Sequence, residues 1–355
     1  MAAVQNLSVV LSGPRRLTYE DRPIPILTPT SVLIRISHVG ICGSDVHFYL
    51  HGGIGPYISK DPIVIGHEAA GTVSAIGEQV KSLSIGDRVC LEPGVPCRRC
   101  VRCKEGKYHL CKDMIFAGSP PYSGTMSKFY ALEEDFCYKL PESVSLEEGA
   151  LVEPMSVAVH IVKQADIRPG QSVVIFGAGT VGLLCCAVAR EFGAKTVVVV
   201  DVIQARLDFA ANFAATGTYL ASKERAPAAG VAAEMIKKHA LGSGADVVLD
   251  ASGAEPSIQA GIHVARAGGT FVQGGMGRSH IDFPIMQACM KELTIKGSFR
   301  YGTGDYPLAV DLLTSGKIPV KELITAQVPF TEAEKGIKLV QEGKGIKTMI
   351  IGLED

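Results

Sequence analysis

The chain has almost no net charge: 35 Lys and Arg against 36 Asp and Glu leave a formal charge of −1. A surface for nucleic acid or an anionic membrane needs a basic excess, and none is present. Basic residues gather only at Arg98, Arg99, Arg102 and Lys104, which reads as a solvated loop. No apolar run reaches the ~18 residues that span a bilayer. Segments such as Val197 to Val200 are short and end at a charge. The opening residues, Met1-Ala2-Ala3-Val4-Gln5-Asn6, have no basic region leading into an apolar one, so no secretory signal is expected. Repeats and low-complexity tracts are also missing. The Ala/Gly-rich stretch Ala226 to Ala233 is short and reads as a loop leading into a helix. These absences predict a cytoplasmic globular protein.

Its 355 residues, 47% hydrophobic and 20% charged, suit two domains better than one. In such a compartment ten cysteines are thiols or metal ligands rather than disulfides. Up to about residue 150 the chain reads as short strands, such as Val32–Ile36 and Gly71–Ile76, between Gly, Pro and Asp turns. After Pro141 the apolar runs Val173–Phe176, Val197–Val200, Val247–Leu249 and Thr270–Gln273 alternate with helix-length segments. That alternation predicts a parallel sheet with crossover helices. The last ~60 residues are mixed, on the same periodicity argument.

The run Val173–Phe176 leads directly into Gly177-Ala178-Gly179-Thr180-Val181-Gly182, and Leu183 to Phe192 reads as a helix. A glycine fingerprint is weak alone and strong between a strand and a helix. Gly177, Gly179 and Gly182 would turn the backbone tightly and let a pyrophosphate reach the helix N-terminus. Asp201 closes the next strand, 19 residues past Gly182. Its carboxylate would accept the ribose hydroxyls and repel a 2′-phosphate, which predicts NAD over NADP. Arg206 has three readings: stacking on adenine, serving a 2′-phosphate, or a plain surface arginine.

Cys97, Cys100, Cys103 and Cys111 fall as C-x2-C-x2-C-x7-C. Four thiolates so close match a closed tetrahedral structural zinc, which would order a loop with little apolar content. Cys90, Cys137, Cys185, Cys186 and Cys289 lie in apolar surroundings and read as buried small hydrophobes. A second candidate metal set is Cys42, His67 and Glu68, with Glu153 as a further member. Neighbouring strand residues point to opposite faces, so His67 and Glu68 share a metal only if the backbone is irregular there, which Gly66 allows. Taken singly, Cys42 and His67 also read as core residues, and Glu153 as a helix-start acid.

With both metal patterns and the fingerprint in one order, the chain resembles the zinc-dependent medium-chain dehydrogenases over essentially its whole length. Gly66 to Gly77 matches that family's signature G-H-E-x2-G-x5-G. Cys42–Phe48, Leu151–Val157 and Gly297–Gly302 resemble its polyol branch, which holds sorbitol, xylitol and L-arabinitol dehydrogenases. The last segment, continuing to Asp305-Tyr306, is most like fungal and yeast xylitol dehydrogenases.

The resemblance implies an α/β plus β fold. A GroES-like catalytic domain (residues 1–155, returning at 296–355) surrounds an inserted Rossmann NAD-binding domain (156–295). It implies oxidation of a polyol to a ketose, xylitol to D-xylulose first, with sorbitol and L-arabinitol as alternatives and a non-catalytic recruited protein as a remote one. Cys42, His67 and Glu68 would hold the catalytic zinc, and Glu153 would act through its water. Ser44 and His47 would relay the proton. Asp45 has two readings of its own: it orients His67 through its other ring nitrogen, or it is a turn-forming acid. Carried-over cofactor contacts fall on Val181, Asp201, Arg206, Gly274, Gly275, Met276, Ser298, Phe299 and Arg300. Substrate contacts fall on Phe48, Glu153, Arg300 and Tyr301, and a homotetramer is implied. Two departures stand out: mammalian sorbitol enzymes lack the four-cysteine loop, and they carry Tyr where this chain has Phe48. A Tyr in place of Phe299 would favour L-arabinitol, so Phe299 leans to xylitol or sorbitol.

Overall fold

A computed structural model of the chain describes residues 5–222 and 227–353. Met1–Val4, within the opening residues where no secretory signal is expected, and Ala226, at the start of the Ala/Gly-rich stretch, lie outside the described residues. The chain forms two compact units. One runs to Glu153 and resumes at Gly302; the other is Pro154–Tyr301. The crossings thus fall near, and not at, the expected 155/156 and 295/296. The second differs because strand Thr294–Gly297 pairs in parallel with Ala265–Gln273, which keeps the chain in the second unit past its end.

The first unit is built on a seven-stranded sheet. Its long central strand, Ser31–Gly40, pairs with Glu68–Ile76 on one side and with Phe129–Glu133 and the C-terminal Lys347–Ile351 on the other ladder. Buried Val32, Ile34 and Ile36 alternate along it, a period-2 pattern with one face turned to the core. The returning tail therefore contributes a strand beside the middle of this sheet. One helix, Gly43–His51, follows the central strand and packs Val46, Phe48 and Tyr49 into the same core.

The second unit is a six-stranded sheet, parallel at every pairing. In spatial order its strands are Gly217–Leu220, Thr196–Asp201, Ser172–Phe176, Ala245–Asp250, Ala265–Gln273 and Thr294–Gly297. The order reverses between the strands ending at Phe176 and Asp250, the switch point where such sheets bind ligands at their carboxyl ends. Valines 173, 174, 197, 198 and 199 are wholly buried, as expected of strands covered on both faces. The fingerprint helix runs Thr180–Glu191, three residues earlier than its apolar pattern suggests, because Gly179 already serves as its N-cap.

One expectation fails here. Cys289 is exposed, unlike Cys90, Cys137, Cys185 and Cys186, which are buried. It lies on the short helix Ile285–Met290, where only Ala288 turns into the core. The helix is apolar on several sides and can bury only one.

Candidate metal centre and dinucleotide site

Within the first unit, Cys42, His67 and Glu68 each place one donor atom within 4.8 Å of the others. The local backbone explains how. Cys42 is the N-cap of helix Gly43–His51, with extended φ and ψ. Gly66 has φ of +90°, a left-handed conformation that breaks the alternation, and the regular strand begins only at Glu68. His67 and Glu68 thereby share one side.

Asp45 ties these pieces together through the backbone. Its Oδ2 accepts the Cys42 N–H at 2.9 Å and its Oδ1 accepts the Gly66 N–H at 3.1 Å. The distance from Oδ1 to His67 Nδ1 is 3.8 Å, too long for a hydrogen bond. Asp45 therefore positions the Cys42 and Gly66 segments, which is the turn-forming reading of this acid, and does not bond the His67 ring.

Two residues absent from the sequence reading complete the cluster. Lys347 Nζ stands 2.5 Å from Glu68 Oε2 and also donates to the Ile41 carbonyl at 3.1 Å. Glu68 reaches it by leaning over Gly40, where a Cβ would lie 2.1 Å from Oε2. A lysine at the head of the apolar run Lys347-Thr348-Met349-Ile350-Ile351 was a legible signal, since a buried ammonium needs a partner.

Glu153 is buried in the first turn of helix Val152–Ala165. Burial, with the Glu68 and Cys42 charges, pushes its carboxyl up to about 8 against the opposing pull of His67 and Lys347. Burial and Glu68 likewise push the Cys42 thiol up to about 11. A cluster of buried acids and a thiol, short of positive charge, suits a divalent cation. Ser44 hydrogen-bonds Cys42. His47 lies three residues on, exposed, while Phe48 is buried in the core cluster.

The four cysteines of the loop also converge. Their sulfurs lie within 4.8 Å of one another, with Cys100 at 3.5 Å from Cys103 and 3.8 Å from Cys111, and Cys97 at 4.0 Å from Cys103. Tetrahedral zinc with ~2.3 Å bonds sets sulfurs about 3.8 Å apart, so this donor set fits a structural zinc. Backbone N–H groups of Arg99 and Cys100 draw the Cys97 thiol down to about 7. Arg98, Arg99, Arg102 and Lys104 are exposed. Tyr108, between the third and fourth cysteines, donates to the buried Glu92, which also accepts from Tyr138 at 2.8 Å.

In the second unit, a Cβ at Gly182 would lie 1.8 Å from the Gly177 carbonyl, so only glycine permits this turn. Asp201 accepts the Ala178 N–H at 2.7 Å through Oδ2 and the Ile203 N–H at 3.0 Å through Oδ1. It thus braces the glycine turn while keeping lone pairs for further donors. Val181 and Arg206 are half-buried in the first turns of their helices. Gly274, Gly275 and the exposed Met276 follow the fifth strand. Ser298 Oγ is buried without a hydrogen-bond partner among the described residues, as a donor reserved for a ligand would be. The Arg300 guanidinium lies 4.7 Å over the Phe299 ring, and Tyr301 is buried. The edge of this sheet fits a dinucleotide.

Residues 28–142 match the family model for the alcohol dehydrogenase GroES-like domain, and residues 180–315 that for the zinc-binding dehydrogenases. D-xylulose reductase A of Aspergillus niger is 62% identical over 351 residues, covering 99% of this chain and 98% of that protein. The chain belongs to the zinc-binding medium-chain dehydrogenases. A probable D-xylulose reductase A of Aspergillus clavatus is similar to this dehydrogenase at 61% identity over 352 residues, 99% of the chain and 98% of the relative. L-idonate 5-dehydrogenase of Escherichia coli superposes on the dehydrogenase with a TM-score of 0.89 at 29% identity, over 98% of each chain. The fold is that of the family: a GroES-like part and a Rossmann-type part. Among the described residues, no helix is long and apolar enough to cross a membrane.

Proposed function

We propose that the dehydrogenase oxidises a polyol to a ketose with NAD, with xylitol to D-xylulose as its principal reaction. The observation that carries this reading is the convergence of Cys42, His67 and Glu68 on one point, with Glu153 close enough to be charged-coupled to all three. The likeness to D-xylulose reductase A of Aspergillus niger supports the choice of polyol. A bound zinc supplies Lewis-acid polarisation of a substrate hydroxyl, and bound NAD accepts the hydride that turns CH–OH into C=O with loss of one proton.

The chain's own residues then have distinct tasks. Cys42, His67 and Glu68 hold the catalytic zinc, and Lys347 balances the Glu68 charge. Glu153 holds or yields a proton near neutral pH, because burial has raised its carboxyl. Ser44 and His47 lie three residues apart on one helix, close enough along its surface to pass the hydroxyl proton towards solvent, where His47 is exposed. Phe48, Arg300 and Tyr301 contact the polyol; Arg300 would donate to neighbouring hydroxyls, which lose water on binding. Gly177, Gly179, Val181 and Gly182 cradle the pyrophosphate, and Asp201 with Arg206 takes the adenosine end. Gly274, Gly275, Met276, Ser298 and Phe299 meet the rest of the dinucleotide. Cys97, Cys100, Cys103 and Cys111 hold a second, structural zinc. The reading extends to a homotetramer, on the family resemblance alone, and to a cytoplasmic protein, on the composition of the sequence.

Sorbitol and L-arabinitol are the competing substrates. Initial rates of NADH formation on xylitol, sorbitol and L-arabinitol separate them. The proposal expects the highest kcat/KM on xylitol; a higher value on either competitor reassigns the substrate, and none on any polyol removes the reading.

A further inference from the structure

At the carboxyl end of the parallel sheet, one carboxylate buckles two loops together. Asp250 ends the strand Ala245–Asp250 and is wholly buried. Its Oδ1 accepts the Ser252 hydroxyl at 2.7 Å. Its Oδ2 accepts the Gly253 N–H at 2.7 Å and the Gln273 side-chain amide at 2.6 Å. Its main-chain carbonyl takes the N–H groups of Gly274 at 2.9 Å and Gly275 at 2.7 Å. Gln273 Nε2 also donates to the Gly275 carbonyl at 2.7 Å. The loops meet backbone to backbone: a Cβ at Gly277 would lie 1.9 Å from the Gly253 carbonyl oxygen.

A buried carboxylate is costly unless hydrogen bonds fill its lone pairs. Here the donors come from both loops, so satisfying Asp250 fixes the one loop against the other. The opposite end of the same strand carries a second carboxylate in a different role. Asp246 accepts the Ser172 N–H and hydroxyl, each at 2.8 Å, and the Arg266 Nε at 2.7 Å. That end faces away from the edge where doubly wound sheets take their ligands. Two carboxylates on one strand thus offer a comparison of a ligand-edge buckle with a structural one.

We infer that Asp250 and Gln273 are positioning residues for the dinucleotide: their bond orders the Gly274–Met276 loop before the cofactor arrives. A loop ordered in advance gives up less conformational freedom on binding, so affinity rises without a new contact to the ligand. The inference rests on the reading that this loop meets NAD.

The test is NADH binding by its fluorescence, in a chain that has no tryptophan to interfere. Gln273→Met removes the buckle and the bond to Gly275, and leaves Asp250 its other donors. The dissociation constant for NADH should rise roughly ten-fold, the scale of one hydrogen bond to a charged group. The KM for the polyol at saturating NAD should not move. Asp246→Asn should lower the melting temperature and leave NADH affinity unchanged, which separates positioning from general loosening. Should Gln273→Met fail to fold, Ser252→Ala removes a single donor from Asp250 and should raise the constant by about two- to three-fold. Unchanged NADH binding in these variants, or an equal loss in Asp246→Asn, overturns the inference and leaves the cofactor reading standing. A parent protein that binds no NADH overturns both.

Discussion

Lys347 and Glu68, 279 positions apart in sequence, form a fully buried ion pair at 2.5 Å. The C-terminal strand lies beside Ser31–Gly40, with Met349 opposite Gly40, and Gly40 is in turn opposite Glu68. Having no side chain, Gly40 leaves the space across which the two charges meet. Burial alone would lower the Lys347 ammonium, yet Glu68, Cys42 and Glu153 hold it above its ordinary value.

Removing one member of a buried pair strands the other charge, at a cost of about 3–5 kcal/mol. Lys347→Met should therefore lower the melting temperature of zinc-stripped protein by roughly 5–10 °C. Added zinc should restore much of the loss, because the cation replaces the ammonium beside Glu68. Thermal unfolding with chelator and with zinc checks this; an equal deficit in both conditions would contradict it.

Glu92 carries a pH prediction. Burial pushes its carboxyl up to about 7, against the hydrogen bonds from Tyr108 and Tyr138. A carboxyl raised in the folded state binds its proton more tightly there than in the unfolded chain. Its contribution is therefore fully present below the unfolded value and is lost as pH rises towards about 7. Glu92→Gln cannot ionise, so its stability relative to the parent should improve between about pH 5 and 7, by at most ~1.4 kcal/mol per pH unit. Urea unfolding at several pH values measures the gap. A gap that does not change with pH would mean that Glu92 titrates normally.

The four-cysteine loop should behave as a metal-dependent element. Cys103→Ser should reduce bound zinc from about two atoms per chain to about one and expose the loop to proteolysis, while the other site keeps its metal. Metal analysis with limited proteolysis reads both effects. Two zinc atoms retained in the variant would place the second ion elsewhere.

Asp201 joins specificity to loop shape, since both its oxygens already hold backbone N–H groups. Asp201→Ala should lower the ratio of kcat/KM with NAD to that with NADP by roughly ten-fold, mostly through loss with NAD. An unchanged ratio would limit Asp201 to bracing the glycine turn.

What the sequence made legible was local. The cysteines of the loop lie within 15 residues, so spacing alone brought their sulfurs into consideration together. The glycine fingerprint and Asp201 belong to one strand–helix–strand unit with a fixed geometry. Gly66 announced the irregular backbone that lets His67 and Glu68 face one way. Long-range pairing was not legible: Lys347 reaches Glu68 only because the tail strand returns beside Gly40, and strand order does not follow from periodicity. The sequence leaves Asp45 between the His67 ring and a turn, and only the fold decides: two backbone N–H groups occupy its oxygens, and the ring nitrogen stays 3.8 Å away. Cys289 is exposed because an apolar neighbourhood in sequence need not be a buried one, on a six-residue helix least of all.

The central claim is that Cys42, His67 and Glu68 form a zinc site for NAD-linked polyol oxidation. Turnover of xylitol with NAD, measured before and after zinc removal and again after zinc is restored, tests it most directly. The account predicts NADH formation that disappears with the metal and returns with it, while NADH still binds the stripped protein. Full activity in protein shown by metal analysis to hold no zinc would contradict it.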